Sequence, residues 1–325
     1  MNRLNQALLG LLGLQVVVLL GLTFAQEDQL SVQSRSLFPE LEPEQVNRVE
    51  IQGPSGDAEE SVRLVRKGTD WVLEDADAYP AKGSEVDSFL DKVADLMSRT
   101  TVLNSPRYHE KLEVSADKYE RKVALHTGAG TTTFYLGTSP SFKNTHLRIE
   151  GEDEVVLVNG FGTSDAGNRA WNWVDRTYVD IPKDQVWAVE LTNENGNIKL
   201  ERDPVSNQWA LLGSTEKIKS TEVDTLVNKA RSVNLETPVG TTVKPSFGLE
   251  EPTAVVKLTV GTSTIAGTLP PTTEVKTLSV GAEIENKNRR YVKSSESEYV
   301  VQVADYAVDP LLEKTKDDLL ADEEE

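Results

Sequence analysis

The sequence contains no cysteine, few aromatic residues and only three histidines among its 325 residues. Without cysteine the chain can form no disulfide, no thiolate metal site and no cysteine nucleophile, and it offers no cysteine for lipid attachment. Basic residues are also few, 34 against 53 acidic ones, so the formal net charge is −19. A surface this acidic repels phosphate groups, which argues against nucleic acid as a partner and against flat binding to an anionic membrane surface.

Motifs of the common enzyme classes are missing as well. The histidines His109, His126 and His146 are too far apart in sequence for a His-Glu-x-x-His zinc site. The glycine pairs at 128–130 and 160–162 lack the third glycine of a dinucleotide-binding turn. The sequence has neither a Walker-type phosphate loop nor a Gly-x-Ser-x-Gly elbow. We therefore predict no catalysis and no bound cofactor.

Acidic residues cluster at 75–77 and at 150–153, where they could hold a hard cation such as calcium. In a chain with 53 acidic residues such clusters arise from composition alone, and we predict no metal site. A hydrolase that uses carboxylates stays open as an alternative. It requires two acidic side chains that face one pocket.

One long apolar run stands near the N-terminus, at residues 7–25. As a helix it would span about 28 Å, close to the roughly 30 Å thickness of bilayer hydrocarbon. Arg3 precedes the run and acidic residues follow it, which predicts a cytoplasmic N-terminus. We predict a single-pass anchor at 1–25 in the cytoplasmic (inner) membrane, with the C-terminal body extracytoplasmic or periplasmic. The alternative is a cleaved signal peptide, since Thr23-Phe-Ala25 resembles a cleavage site.

After the apolar run, the sequence repeats itself. The heptapeptide QVNRVEI at Gln45 recurs as QVWAVEL at Gln185. A strand-like tryptophan, Trp71, recurs as Trp209. The helix start SEVD at Ser84 recurs as TEVD at Thr221. The nearly constant offset predicts two related domains. Because Trp71 and Trp209 recur at equivalent places, we predict that both are core residues.

Each copy combines one amphipathic helix with short strands. Apolar residues at spacings of three and four predict a helix at 84–97 and a second one that begins at Thr221, with Ser84 and Thr221 as caps. Strands joined by short polar turns predict a mainly antiparallel sheet. The predicted fold class is α+β: an N-terminal transmembrane helix followed by two tandem related domains, each a mainly antiparallel sheet with one principal helix.

The predicted organisation has five parts. They are an anchor at 1–25, a spacer at 26–42, a first domain at 43–165, a second domain at 166–312 and an acidic tail at 313–325. The tail ends in a run of acidic residues, and we expect it to be frayed.

This arrangement resembles a family of uncharacterised membrane-anchored proteins encoded beside gliding-motility-type ABC exporters. Phe247-Gly-Leu-Glu-Glu-Pro252 matches the family's aromatic-Gly-Leu-acidic-x-Pro element, and Arg290-Tyr-Val-Lys293 with Glu298-Tyr-Val-Val301 matches its closing hairpin. The first copy departs from the pattern, because Tyr108-His-Glu-Lys-Leu112 stands where aromatic-Gly-Leu is expected. The resemblance implies an extracytoplasmic accessory of an ABC transport system.

A few residues are not shared by the two copies, and these are the candidate site. Three tryptophans cluster at the start of the second copy with two arginines nearby: Trp171, Trp173, Trp187, Arg169 and Arg176. They either wedge the copies together or form an exposed patch for a partner or a sugar. His109, in the divergent loop of the first copy, completes the candidate set.

The expected function follows from these observations and from the resemblance. We predict a non-catalytic extracytoplasmic accessory or scaffold subunit of an ABC-type export system, with the permease and ATPase subunits as partners. A glycan- or peptidoglycan-binding module that uses the Trp171–Trp187 region stays open as an alternative, as does the carboxylate-based hydrolase.

Overall fold

In the computed structural model the described residues are 34–55, 58–98, 100–263 and 267–321. The strands of the first copy are β1 (Arg35–Ser36), β2 (Val46–Ser55), β3 (Ala58–Lys67), β4 (Asp70–Leu73), β5 (Tyr79–Pro80), β6 (Met97–Ser98), β7 (Thr100–Asn104), β8 (Arg121–Thr127), β9 (Thr131–Leu136), β10 (Asn144–Ile149) and β11 (Glu154–Asn159). Those of the second copy are β12 (Thr177–Asp180), β13 (Val186–Asn193), β14 (Gly196–Arg202), β15 (Trp209–Leu211), β16 (Ser232–Asn234), β17 (Thr237–Gly240), β18 (Ala254–Val260), β19 (Glu274–Ile284), β20 (Arg289–Ser294) and β21 (Val300–Ala304). The α-helices of this described part are α1 (Gly83–Ala94), α2 (Ser220–Arg231) and α3 (Asp305–Glu313).

Two large antiparallel sheets have the same strand order. The first runs β5-β4-β3-β2-β8-β9-β10-β11-β7, and the second runs β15-β14-β13-β18-β19-β20-β21-β17. A two-stranded ribbon accompanies each sheet, β1 with β6 and β12 with β16. The two regions that repeat in the sequence therefore build sheets of the same strand order. Of the described strands in the two large sheets, only β5, beside β4, lacks a counterpart in the other copy.

Burial alternates along several strands, because one face of each sheet lies in the core. In β18 every second residue from Ala254 to Val260 is buried. Helices α1 and α2 contribute their apolar stripes to the same core, with buried side chains at Val86, Phe89, Leu90 and Val93 and at Val223, Leu226, Val227 and Ala230. Most of the buried apolar residues of both copies form one continuous hydrophobic cluster, and Val114, Tyr135 and Val155 form a small separate one in the first copy.

The helix boundaries differ from the prediction. Both helices begin one residue earlier than expected, at Gly83 and Ser220, and neither has a side-chain cap. The backbone carbonyls of Lys82 and Lys219 accept the first helical hydrogen bonds instead. Helix α1 also ends at Ala94, so the residues at 96–97 that were predicted to extend its stripe lie beyond the helix.

The predicted fold class was wrong in its transmembrane helix. Strands hold 43% of the described residues and helices 19%, so the molecule is built mainly from antiparallel sheets. The longest described α-helices have 12 residues and span about 18 Å, well short of the roughly 30 Å hydrocarbon thickness. No helix in the described part of the chain is long and apolar enough to cross a membrane. The segment predicted as the anchor, 1–25, lies outside the described residues.

The segment predicted as a frayed tail is packed as far as the structure describes it. Helix α3 extends to Glu313 and contacts α2. A 3-10 turn follows at Asp317–Leu319, and the Leu319 side chain is fully buried. Leu320 forms an antiparallel bridge with Ile218 in the second copy. Apolar residues in this acidic segment therefore hold it against α2.

Candidate partner-binding site

The segment between the two copies, residues 160–176, lies against the first copy. The buried side chain of Asn168 donates an amide hydrogen bond to the Gly53 carbonyl oxygen at 2.8 Å. Arg121 Nε donates to the Ala166 carbonyl oxygen at 3.0 Å. Because both bonds join residues far apart in sequence, this segment is a fixed part of the fold.

Trp173 is a core residue of this segment. Its side chain is 3% exposed and meets Phe89 of α1 edge to face, with 5.4 Å between ring centroids. The indole Nε1 donates to the Gly167 carbonyl oxygen at 2.7 Å, and the Trp173 carbonyl accepts the backbone N–H of Lys82 at 2.6 Å. Trp173 thus wedges the connecting segment onto α1, and a partner cannot reach it.

Trp171 lies where the two copies meet, among charged side chains. The guanidinium groups of Arg169 and Arg176 lie over its ring, 5.5 and 4.5 Å from the centroid. Arg169 pairs with Glu60 of the first copy at 2.9 Å, and Arg176 pairs with Glu236 of the second at 2.7 Å. We call these five residues the seam cluster.

The seam cluster is only partly covered by the rest of the molecule. Trp171, Arg169 and Arg176 all keep part of their surface in solvent. The Trp171 Nε1 atom itself is buried and has no acceptor among the described residues. The cluster therefore offers an aromatic ring held between cations at the joint of the two copies.

The other two predicted site residues lie elsewhere. Trp187, at the start of β13, is buried and donates its Nε1–H to the Gly261 carbonyl oxygen at 2.9 Å. His109 is buried in the divergent loop, with Nε2 2.9 Å from the Asp153 carbonyl oxygen. Of the six predicted residues, the structure brings together Arg169, Trp171 and Arg176 as one accessible group.

Further contacts join the copies beside the seam cluster. Asp77, in the loop after β4, accepts hydrogen bonds at Oδ2 from the Thr241 backbone N–H (2.8 Å) and hydroxyl (3.1 Å). These bonds lower the pKa of the Asp77 carboxyl group, and the bond from the backbone N–H has the larger effect. Tyr79 and Tyr299 meet edge to face at 4.8 Å, and burial raises the pKa of Tyr79. The two copies are thus tied by polar and aromatic contacts as well as by the shared core.

The structure also has a cavity that the sequence reasoning missed. It has a volume of about 640 Å³ and opens between α2 and strands β14 and β15 of the second copy. Its walls combine cationic, amide, acidic and apolar groups with one indole ring: Lys183, Asp184, Arg202, Asn207, Gln208, Trp209, Lys217, Ile218, Ser220, Val223 and Asp224. This volume lies within the range of roughly 300–1,000 Å³ that is usual for small-molecule sites.

Arg202 stands at the centre of the cavity wall. Its guanidinium carbon lies 4.2 Å from the ring centroid of Trp187 and 6.0 Å from that of Trp209. Its terminal nitrogens donate to the backbone carbonyl oxygens of Lys183 and Asp184. No carboxylate within the described residues forms an ion pair with it, and burial lowers its pKa. The cavity wall therefore contains a guanidinium group that has no ion pair within the part of the chain that the structure describes.

The prediction that both repeated tryptophans are core residues holds only for the first copy. Trp71 is 2% exposed, whereas Trp209 is partly exposed and lines the cavity. One sequence signal could have shown the difference. The connection between β14 and β15, residues 203–208, is longer than the β3–β4 turn at 68–69, and it supplies two cavity residues, Asn207 and Gln208.

Two of the acidic residues considered for calcium make other contacts. Asp75 pairs with Arg63 at 2.9 Å, and Asp77 binds Thr241. Within the residues that the structure describes, no three acidic or histidine side chains are grouped so that they could hold a metal ion.

Comparison with family models gives one match. The model described as "Domain of unknown function (DUF4340)" matches residues 71–245 and 241–322. The first range passes through the predicted boundary at 165/166, so the match leaves that boundary a prediction. Comparisons with curated proteins and with solved structures found no match.

Proposed function

The chain belongs to the family described as a domain of unknown function (DUF4340), and we propose that it is a non-catalytic extracytoplasmic accessory or scaffold subunit of an ABC-type export system. The permease and ATPase subunits are the proposed partners. Support comes from the two motifs that resemble the exporter-associated family, at 247–252 and 290–301, which both lie within the matched range 241–322.

The seam cluster is the observation that carries the proposal. Tryptophan and arginine are the residues most enriched among energetic hot spots of protein interfaces. Here Arg169, Trp171 and Arg176 stand together on the surface of a chain with a net charge of −19. A partner surface that carries carboxylates or aromatic rings would fit them, because guanidinium groups bind carboxylates and stack on aromatic rings.

Three of the four edges of the two large sheets favour docking at the seam over strand addition. The edge strands β5 and β17 contain Pro80 and Pro238, which cannot donate a backbone hydrogen bond. β15, at another edge, has only three residues. A partner strand would find few free backbone groups at these edges, so a side-chain interface is the better docking mode.

The shared core supports a scaffold role. One hydrophobic cluster runs through both copies, and Asp77 and Tyr299 add contacts across the joint. A joint of this kind keeps the residues of the seam cluster, which come from both copies, in a fixed arrangement. A partner that binds there would meet a preorganised surface and would lose less entropy on binding.

Co-purification from native membranes tests the proposal. The tagged full-length chain should bring down the permease and the ATPase, and Trp171→Ala with Arg176→Ala should remove most of both. Tyr306→Ala with Lys229→Ala is the matched control, because Tyr306 is 70% exposed and the Lys229 ammonium lies 5.7 Å from its ring centroid, away from the seam. Recovery of the wild-type chain alone would contradict the proposal.

The extracytoplasmic position has its own test. Because the chain has no cysteine, a single substitution gives one labelling site. Val205→Cys suits this purpose, since Val205 is 77% exposed in the β14–β15 connection. We expect a membrane-impermeant maleimide to label this variant in intact spheroplasts. Labelling that occurs only after lysis would place the body in the cytoplasm.

A further inference from the structure

The cavity of the second copy exists because one strand and one polar contact of the first copy are missing there. In the first copy β5 pairs with β4, and the Ala81 backbone N–H binds the Trp71 carbonyl oxygen at 2.9 Å. In the second copy no described strand follows β15 at the sheet edge. The chain after β15 pairs with the C-terminal segment instead, through Ile218 and Leu320. The space beside Trp209 is therefore left open.

The indole of Trp209 is free to bind a ligand. Its counterpart Trp71 donates its Nε1–H to Asp87 Oδ1 at 3.0 Å. The counterpart of Asp87 is Asp224, which pairs with Lys183 at 2.9 Å. The Trp209 Nε1–H consequently has no acceptor among the described residues. The cavity thus presents a partly exposed aromatic face with an unused donor at its edge.

Positive charge in the cavity is also left without a partner. Arg202 binds only backbone carbonyl groups, and the exposed Lys217 has no ion pair within the described residues. The wall has two acidic side chains. Asp224 is paired with Lys183, and Asp184 acts on Arg202 only as a nearby charge, which opposes the lowering of the Arg202 pKa by burial. Two cations with no ion pair among the described residues, in a chain of net charge −19, indicate an anionic ligand.

Neutral polar groups complete the wall. The side-chain amides of Asn207 and Gln208 and the hydroxyl of Ser220 line the cavity beside Trp209. Amides and hydroxyls bind the hydroxyl groups of a ligand, while an indole face packs against the apolar face of a sugar ring. We propose that this cavity binds an acidic saccharide, with a pyranose ring on Trp209 and its carboxylate or phosphate group at Arg202 and Lys217.

This proposal goes beyond the docking role and does not rest on it. The class of ligand is the one considered from sequence for the Trp171–Trp187 region, but the residues differ. Trp173 and Trp187 are buried and Trp171 lies under two guanidinium groups, whereas Trp209 opens onto a cavity. The two proposals fail independently. If no exporter subunits co-purify, the saccharide proposal still stands, and if no sugar binds, the docking proposal still stands.

Indole N–H resonances in a proton–nitrogen NMR spectrum of the full chain test the proposal directly. Trp209→Phe assigns the Trp209 resonance by its disappearance and keeps an aromatic ring in the cavity. Titration with glucuronate and with glucose 6-phosphate should shift this resonance saturably and leave that of Trp171 in place. Glucose, which lacks the anion, should bind about tenfold more weakly, a difference of about 1.4 kcal/mol.

Variants separate the charge from the ring. Lys217→Glu changes an exposed side chain, so it should preserve the fold while it weakens binding of the acidic sugars at least about tenfold. Lys287→Glu is the matched control, since it makes the same charge change in the exposed β19–β20 turn, outside the cavity wall. A stronger response to glucuronate identifies a carboxylate ligand, and a stronger response to glucose 6-phosphate a phosphate ligand. Equal binding of glucose, an unmoved Trp209 resonance or insensitivity to Lys217→Glu would overturn the proposal.

Discussion

The two copies use the same three positions in different ways. In the first copy Arg66, Trp71 and Asp87 form a closed group, in which the guanidinium carbon lies 4.8 Å from the ring centroid and both Arg66 and Trp71 bind the Asp87 carboxylate. In the second copy the equivalent residues, Arg202, Trp209 and Asp224, do not meet in this way. The strand and helix arrangement is the same in both copies, but the closed group of arginine, tryptophan and aspartate forms only in the first.

This difference shows how a duplicated unit can gain a site without a new fold. The strand order is the same in both sheets, and α1 and α2 lie at equivalent places along the chain. What differs is the edge strand β5, the length of one turn and the partner of one aspartate. Such changes cost little stability because the main core stays intact, and they expose polar groups that a ligand can use.

The largest expected difference between the two copies comes from truncation of the two tryptophans. Trp71→Ala removes a side chain that is 2% exposed, so we expect a loss of about 3–5 kcal/mol in the free energy of unfolding. Trp209→Ala removes a partly exposed ring and should cost no more than about 2 kcal/mol. Urea unfolding of both variants gives the two values. Equal losses would mean that Trp209 is as much a core residue as Trp71.

Two glycines should instead respond alike, because they belong to the part of the fold that the copies share. A Cβ on Gly137 would lie 2.0 Å from the Leu112 carbonyl oxygen, and one on Gly281 would lie 2.1 Å from the Phe247 carbonyl oxygen. Gly137→Ala and Gly281→Ala should each lower the free energy of unfolding by about 1–3 kcal/mol. Gly128→Ala is the control, since no atom lies within 4 Å of its added Cβ. A large loss in only one copy would break the equivalence.

How much of this could be predicted from the sequence depends on the range of the interactions. The helices follow from local patterns of apolar residues, so α1 was predicted close to its observed position. Trp71 and Trp209 lie on equivalent strands of the two sheets, β4 and β15. The longer turn at 203–208 can be read from the sequence as a sign that Trp209 is partly exposed, but the absent edge strand, on which the exposure also depends, cannot.

The surroundings of the candidate site residues likewise depend on contacts between residues far apart in sequence. Trp171, Trp173 and Trp187 lie close in sequence, which suggested one patch, but the 3-10 turn at Ala170–Asn172 and packing against α1 place them in different surroundings. Burial of Trp173 results from Phe89, more than 80 residues away. Grouping of Trp171 with Glu60 and Glu236 likewise requires the two copies to be docked. Sequence proximity alone carries none of this information.

A smaller effect separates the two aspartates. Asp87→Ala leaves the Trp71 indole N–H without its acceptor, and we expect a loss of about 1 kcal/mol in the free energy of unfolding. Asp224→Ala removes only an exposed pair with Lys183 and should change stability by less than about 0.5 kcal/mol. Asp87→Ala combined with Trp71→Phe provides the check, because phenylalanine has no indole donor. If the cost of Asp87→Ala stays the same in that background, the hydrogen bond does not explain it.

The smallest effect concerns the contact that joins the copies. Hydrogen bonds from Thr241 lower the pKa of Asp77 below its ordinary value of 3.8. A carboxyl group whose pKa is lower in the folded protein stabilises it fully above the ordinary value, and this contribution is lost as the pH falls through the lowered pKa. We therefore expect the difference in stability between the wild type and Asp77→Asn to shrink as the pH falls below about 4. Other carboxyl groups, such as Asp203 and Asp318, titrate in the same direction but cancel in this difference. A difference that does not change with pH would show that the Asp77 charge contributes nothing to the joint.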